Sequence, residues 1–578
     1  MNDLDYLRLS KPQKFVHNLK KFFLGLPKRL LGAVTGLAMW FVNLFKGIGS
    51  FIAELVKTYV NGDWKTKVSY TVMGFGSMAR GQWMRGVLFF LFQTVFNLYI
   101  WFFGASYLGK LSTLGTVETM KKGRVTVYGD NSFLILLYGV LTIFFIAAFL
   151  YTWYVNIKQN KLSEMVLKSG NKLKSAKEDI ASLLDTQFHK TLLALPTLGV
   201  SVFTILPIIF MILVAFTNYD NQHQPPGKLF TWVGTANFET LLTNTETPVS
   251  FDVTSSTADS AALTITAKNG DILTVTTADV AAAEAAEALT QASETDFTLA
   301  DQGDGSYKIE VFNQANESVA LTVTNLMTVQ TPSFSYTFRQ VLFWTLVWAF
   351  FATFLNYFLG MLVAIMINKK GIKLKKLWRT ILVMTIAIPQ FISLLYVSKM
   401  FAADGLVNGM LMNWGWISQP LPFWTDPTWA RVTIIAINIW IGIPYLMLIA
   451  TGILMNIPVD LYESARIDGA NAFQTYMKIT LPYMLFVTGP YLLTSFTGNI
   501  NNFNVIFLLS QGKPLGLELA GNAGTTDLLI TWLYKMTVTD SNYKLAAVMG
   551  ILVFVVCAVI NLVVYNFIPS VKNEEDFQ

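Results

Sequence analysis

Charge is scarce in this chain. Asp, Glu, Lys and Arg make up 13% of its 578 residues, against 53% hydrophobic and 14% aromatic. So few charges cannot cover a water-facing globular surface, and a mean hydropathy of +0.47 puts the chain in a membrane. Cysteine is nearly absent: Cys557 lies in an apolar run, which excludes a disulfide framework and a thiolate metal site. The three histidines, His17, His189 and His223, are scattered, which argues against His-centred metal or triad chemistry. A nucleotide-binding loop is also missing, because Gly74-Phe75-Gly76-Ser77-Met78-Ala79-Arg80-Gly81 lacks the Gly-Lys-Ser/Thr ending and reads as an interfacial turn. No cofactor, metal or catalytic residue is expected.

Long hydrophobic runs are what the chain does have. With about twenty residues needed per crossing, spans are predicted at 85–108, 132–156, 191–217, 338–368, 378–400, 431–455, 483–509 and 544–569. Lysines between Lys158 and Lys190, and the run Lys369-Lys370-Gly371-Ile372-Lys373-Leu374-Lys375-Lys376, should face the cytoplasm. Eight crossings then place both termini on the cytoplasmic side of the cell membrane. Residues 1–80 are basic and read as a cytoplasmic or interfacial region, with Leu30–Phe45 lying on the inner leaflet; a signal peptide is not expected, because the apolar stretch starts late and no small-residue cleavage pattern closes it. Three spans fill 81–217, a membrane core is expected at 338–570 with a cytoplasmic loop at 456–482, and 571–578 is a cytoplasmic tail. The net charge of +6 gathers on inner-face segments, which points to membrane lipids rather than nucleic acid as a partner.

Residues 218–337 are Ser/Thr/Ala-rich and acidic, unlike the rest. Alternation in Leu263–Thr266 and Ile272–Thr276 about Asn269-Gly270 predicts a β-hairpin, Tyr307–Val311 and Ala320–Val323 predict strands, and Ala281–Leu289 a short helix. The fold class is therefore an all-α polytopic membrane protein with a small α+β extracytoplasmic domain.

The most informative stretch is polar: Tyr462-Glu463-Ser464-Ala465-Arg466-Ile467-Asp468-Gly469-Ala470, followed by Ile479-Thr480-Leu481-Pro482. Pro458 sits where a helix would start, Asp468-Gly469 breaks it, and Pro482 should stop a second arm, leaving a compact knob between two spans. Glu463, placed near the positive end of that helix, can offer its carboxylate to a partner's arginine. Polar residues also recur inside spans, where they are costly. Ser495, Asn499 and Asn502 follow an i, i+4, i+7 spacing with Gly498 beside them, and Asn438, Ile441, Gly442 and Tyr445 follow i, i+3, i+4, i+7 with Pro444 able to kink the helix. Carboxamides and an aromatic ring suit the hydroxyls and faces of a sugar; interhelical hydrogen bonding and packing through glycine fit the same residues. No acid or base sits on either face, which disfavours proton coupling and chemistry on a bound ligand. A self-sufficient secondary carrier would need an ion-coupling group or inverted repeats, and a membrane glycosyltransferase paired carboxylates facing the membrane; neither presents itself.

From about residue 335 to 570 the sequence resembles the maltose/maltodextrin permeases of binding-protein-dependent ABC importers, through Asn438–Tyr445, the Glu463 to Pro482 loop, Asn499–Phe503 and Thr525–Leu529. The resemblance implies half of a pore for maltose or maltodextrin, paired with a MalG-like second permease, two ABC ATPase subunits and an extracytoplasmic sugar-binding protein. It also implies that Asn438, Ile441, Gly442, Tyr445, Ser495, Gly498, Asn499 and Asn502 line the sugar path, and that Glu463, Ala465, Asp468, Gly469, Leu481 and Pro482 form the ATPase-coupling loop. Gly498 stands where that family has an aromatic residue. A shorter outer loop and a longer basic N-terminal region fit a Gram-positive relative, whose binding protein would be a lipoprotein.

Overall fold

The structure is a computed structural model that describes residues 35, 36, 39, 42, 43 and 46–565, except 123, 124, 244–248, 316, 330, 370 and 517. Most of the predicted inner-leaflet stretch Leu30–Phe45 and all of the 571–578 tail lie outside the described residues. The chain divides into two compact units, Met1–Ser112 with Leu134–Leu206, and Thr113–Phe133 with Pro207–Gln578. Among the described residues seven helices are long and apolar enough to cross a membrane: Trp83–Lys110, Ser132–Lys168, Phe188–Val214, Phe334–Asn368, Pro427–Leu454, Ala472–Ile500 and Tyr543–Tyr565. The protein is a multi-pass membrane protein.

In the first unit the Gly74–Gly81 segment is a buried polar knot instead of a simple interfacial turn. Gly74 (φ +82°) opens the one-turn helix Phe75–Met78, and a side chain at 74 would strike the carbonyl of Gly86. Arg80 is almost wholly enclosed, donating to Asp63 Oδ1 at 2.5 Å, Thr66 Oγ1 at 2.7 Å, Asn160 Oδ1 at 2.7 Å and the Gly76 carbonyl at 3.1 Å. The backbone amides of Gly74 and Gly76 are taken by Asn156 Oδ1 and Ser69 Oγ. Groups that a phosphate would need are thus spent on the protein's own side chains.

In the second unit an antiparallel sheet runs in the order Ser250–Ser256, Ala261–Thr266, Ile272–Thr277, Ser318–Val329, Tyr307–Asn313, Thr295–Asp301. Period-2 burial puts Leu263, Ile265, Val275, Ile309, Val311, Leu321 and Val323 on one face, where Ala283 and Ala286 of the helix Val280–Ala292 pack. The hairpin at Asn269-Gly270 forms, with Gly270 at φ +86°.

The membrane core of this unit is built on Phe334–Asn368 against Pro427–Leu454. Close approach is set by small residues: a Cβ on Gly360 would lie 2.6 Å from Leu446, and one on Gly442 would lie 2.5 Å from the Asn356 amide. Two predicted spans are not continuous helices. The 378–400 run breaks into Lys375–Ala387 and Gln390–Met400, bent by 93°, because Pro389 has no N–H to donate and holds the preceding residue extended. The 483–509 run ends at Ile500 and resumes as Phe503–Leu509 after Asn501-Asn502.

Candidate functional site

The bent pair opens a cavity of about 500 Å³ in the core. Thr385 to Gln390 and Ser393 form one wall, and Trp440, Ile441, Gly442 and Tyr445 the other. Three residues of the second predicted face, Ile441, Gly442 and Tyr445, therefore share one void, and Tyr445 is exposed to it. Pro444, buried within the helix, has no N–H to give the Trp440 carbonyl, which interrupts the helix's hydrogen-bond ladder beside the cavity. Gln390 and Ser393 add a carboxamide and a hydroxyl that the sequence reading missed; a proline followed by polar residues inside an apolar run was the available signal. Asn438 is placed elsewhere: it is buried, and among the described residues its Nδ2 finds no hydrogen-bond partner.

The first predicted face is not a single helical stripe. Asn502 lies beyond the helix end and caps the next helix, its Oδ1 accepting from the Val505 amide at 3.3 Å. Asn502 Nδ2 donates to Asn499 Oδ1 at 3.3 Å, and Asn499 Nδ2 donates to Thr353 Oγ1 at 3.0 Å. The Asn499 carbonyl accepts from Trp348 Nε1 at 3.1 Å. These amides close a helix break, which is the physical reason an i+7 extrapolation fails here: the chain leaves helical geometry before reaching Asn502. Ser495 sits one turn beyond Tyr491 on the helix Leu481–Ile500. Gly498 is open, with nothing within 4 Å of a Cβ built there.

Thr525–Leu529 holds the adjoining loop together. Asp527 is fully buried and accepts from the Gly524 amide at 2.7 Å, Thr531 Oγ1 at 2.8 Å and Lys535 Nζ at 2.6 Å. Arg431 donates twice to the Thr525 carbonyl, at 3.0 and 2.8 Å, while stacking 4.9 Å over Trp344. With its charge paired and its oxygens occupied, Asp527 is placed to shape the loop.

The polar knob is the helix Val459–Ile467, led by Pro458 and ended at Asp468 and Gly469 (φ +74°). Glu463 is exposed, but it sits one turn into the helix; the acid of the first turn is Asp460. Ala465 is half-buried and its carbonyl accepts from the Ala470 amide at 2.9 Å, closing the helix end. Glu463 and Arg466 border a cavity of about 680 Å³ that also reaches Asn368 and Tyr476. Pro482 does not stop the second arm. A π-helical turn, Tyr476–Thr480, precedes Leu481, whose amide reaches back to the Tyr476 carbonyl, and the wider turn lets the helix run on through the proline to Ile500. Leu481 is half-buried beside Met484, and Tyr462 Oη lies 3.1 Å from Thr480 Oγ1, tying knob to rod. Ile467, 86% exposed, and Phe473, 71% exposed, give the knob an apolar surface that the sequence reading missed.

Residues 356–573 match the family described as binding-protein-dependent transport system inner membrane component. The chain is 29% identical over 506 residues to the galactooligosaccharides transport system permease protein GanP of Bacillus subtilis, covering 87% of this chain and 97% of that one. It is 29% identical over 512 residues to the maltodextrin transport system permease protein MdxF of the same organism, covering 87% and 95%. With the maltose/maltodextrin transport system permease protein MalF of Escherichia coli it shares 36% identity over 233 residues, 39% of this chain and 45% of that one.

Proposed function

From the match of residues 356–573 to the binding-protein-dependent inner-membrane transport components, we propose that this protein is one half of the translocation pore of an ATP-driven importer for maltose or maltodextrin. The observation that carries the reading is the knob: an exposed helix joining two spans, in a sequence with no nucleotide-binding loop of its own. Hydrolysis then falls to two partner ATPases gripping Glu463 and the apolar pair Ile467 and Phe473, with a second permease completing the pore. Both termini face the cytoplasm in this arrangement. The sheet domain lies outside the cell membrane, as a platform for a sugar-binding lipoprotein.

Movement would pass along a single rod. Ala472–Ile500 is 29 residues long, about 40 Å at ~1.5 Å per residue, and joins the knob at Tyr462–Thr480 to the amide cluster at Asn499. Closure of the ATPases would push the knob, tilt the rod and shift the cavity at Tyr445 and Gln390 between inward and outward access. The loaded binding protein biases this switch only by its difference in affinity for the two states. Sugar hydroxyls would meet Gln390 and Ser393, and sugar faces Trp440 and Tyr445. Asn499 and Asn502 would set the end of the rod, their amides bonded to Thr353, to each other and to the Val505 amide.

Likeness to GanP over most of the chain supports a second cargo reading, galactooligosaccharides. Affinity capture of the tagged chain in mild detergent tests the importer: a second permease and an ATPase should co-purify and be lost with Glu463→Ala, whereas a lone, stable, homogeneous chain would contradict it. Competition between maltotetraose and a β-galactotriose for uptake then separates the two cargoes.

A further inference from the structure

The loop joining Gln390–Met400 to Pro427–Leu454 holds no Asp, Glu, Lys, Arg or His between Gly405 and Thr425; charges return only at Asp404 and Asp426. A connection bathed in water would ordinarily be charged and polar. This one is built the other way round. Asn408 turns inward: fully buried, it donates to the carbonyls of Ala402 at 3.1 Å and Leu421 at 3.2 Å and accepts from the Leu421 amide at 2.8 Å. Trp424 Nε1 donates to the Ser398 carbonyl at 3.0 Å, and Phe423 is buried edge-on to Phe401 and Trp429. Its apolar groups turn outward. Trp414 is 57% and Trp416 72% exposed, with rings 5.3 Å apart, and Leu406 and Met410, one turn apart on the short helix Leu406–Asn413, are exposed as well. Gly415, at φ +72°, makes the turn that sets the two indoles side by side.

We infer that this loop is an interfacial anchor, with Trp414 and Trp416 seated in a lipid surface at the boundary between headgroups and acyl chains. Three observations select lipid over a soluble partner. Both ends of the loop are fixed to membrane helices, so it cannot leave the level of the headgroups. An indole has an apolar body with one N–H, which suits that boundary, where Trp and Tyr gather. A protein or sugar partner would need polar or charged groups at the rim, and the exposed tip offers only Asn413, Ser418 and Gln419. The clamp at Asn408 then holds the bent half-helix at a fixed depth, so the wall of the cavity is referenced to the bilayer.

The single cysteine makes the test direct. In a Cys557→Ala background, Trp416→Cys carries a nitroxide, and the assembled protein is placed in vesicles of phosphatidylethanolamine and phosphatidylglycerol. Collision rates with oxygen, which concentrates in lipid, and with a water-soluble nickel chelate are compared, with Asp259→Cys in the sheet domain as the aqueous reference. The oxygen-to-nickel ratio at 416 should exceed that at 259 several-fold. A ratio equal to that at 259 would overturn the inference, as would shielding from both reagents, which would mean that protein covers the tip. Trp414→Cys gives the same reading if the first variant does not express.

Discussion

Two sets of amide-bearing residues in the same bundle, read with the same helical period, end in opposite situations. Along Pro427–Leu454 the helix continues, a neighbouring helix breaks, and Tyr445 with Gly442 looks into the resulting void. At Asn499 and Asn502 the helix itself breaks and the amides are spent on closing it. Residue type and spacing are alike; what differs is whether the chain satisfies its own polar groups. A polar side chain in a membrane is free for a ligand only when the backbone around it makes no claim on it.

The comparison can be broken in graded ways. Gly442→Val forces methyls into the Asn356 amide, and overpacking of about 1–3 kcal/mol should sharply lower the yield and the thermal midpoint of the protein in detergent; a wild-type midpoint would mean the two helices do not approach as described. Gln390→Ala removes a carboxamide from the open cavity. It should raise the half-saturating sugar concentration about tenfold, ~1.4 kcal/mol, at an unchanged melting midpoint, and unchanged uptake would remove Gln390 from the path. Asn502→Ala removes a cap worth about 1 kcal/mol, so the midpoint should fall while sugar affinity holds; the reverse pattern would make Asn502 a ligand. Gly498→Tyr should have the smallest effect. It enters open space, should fold normally, and should change relative uptake of long and short sugars by an aromatic contact of about 0.5–1.5 kcal/mol, whereas loss of folded protein would show that the face is covered.

Much of this was legible in the sequence. The apolar runs, the knob between Pro458 and Gly469, and the hairpin about Gly270 follow from local rules of hydropathy, capping and turn chemistry, which need no knowledge of neighbours. The breaks were partly legible. Pro389 and Asn501-Asn502 are breakers, yet hydropathy outweighs them when an apolar run is taken as one span. Pro482 misleads in the other direction, since only the backbone shows the π-helical turn that carries the helix through it. The edge strands Ser250–Ser256 and Thr295–Asp301 were missed because edge positions bury little and so carry little alternation. The Arg80 knot was illegible, since its partners Asp63, Asn156 and Asn160 are brought together only by the fold.

The central claim is that the open face meets the cargo while the closed face holds the helix. The most direct test is to reconstitute the complete importer with Tyr445→Ala and with Asn499→Ala, and to measure for each the half-saturating maltotetraose concentration and the melting midpoint. Tyr445→Ala should raise the first and leave the second in place, and Asn499→Ala should lower the second and leave the first in place. The opposite assignment, with Asn499→Ala weakening sugar uptake at full stability and Tyr445→Ala leaving uptake untouched, would contradict it.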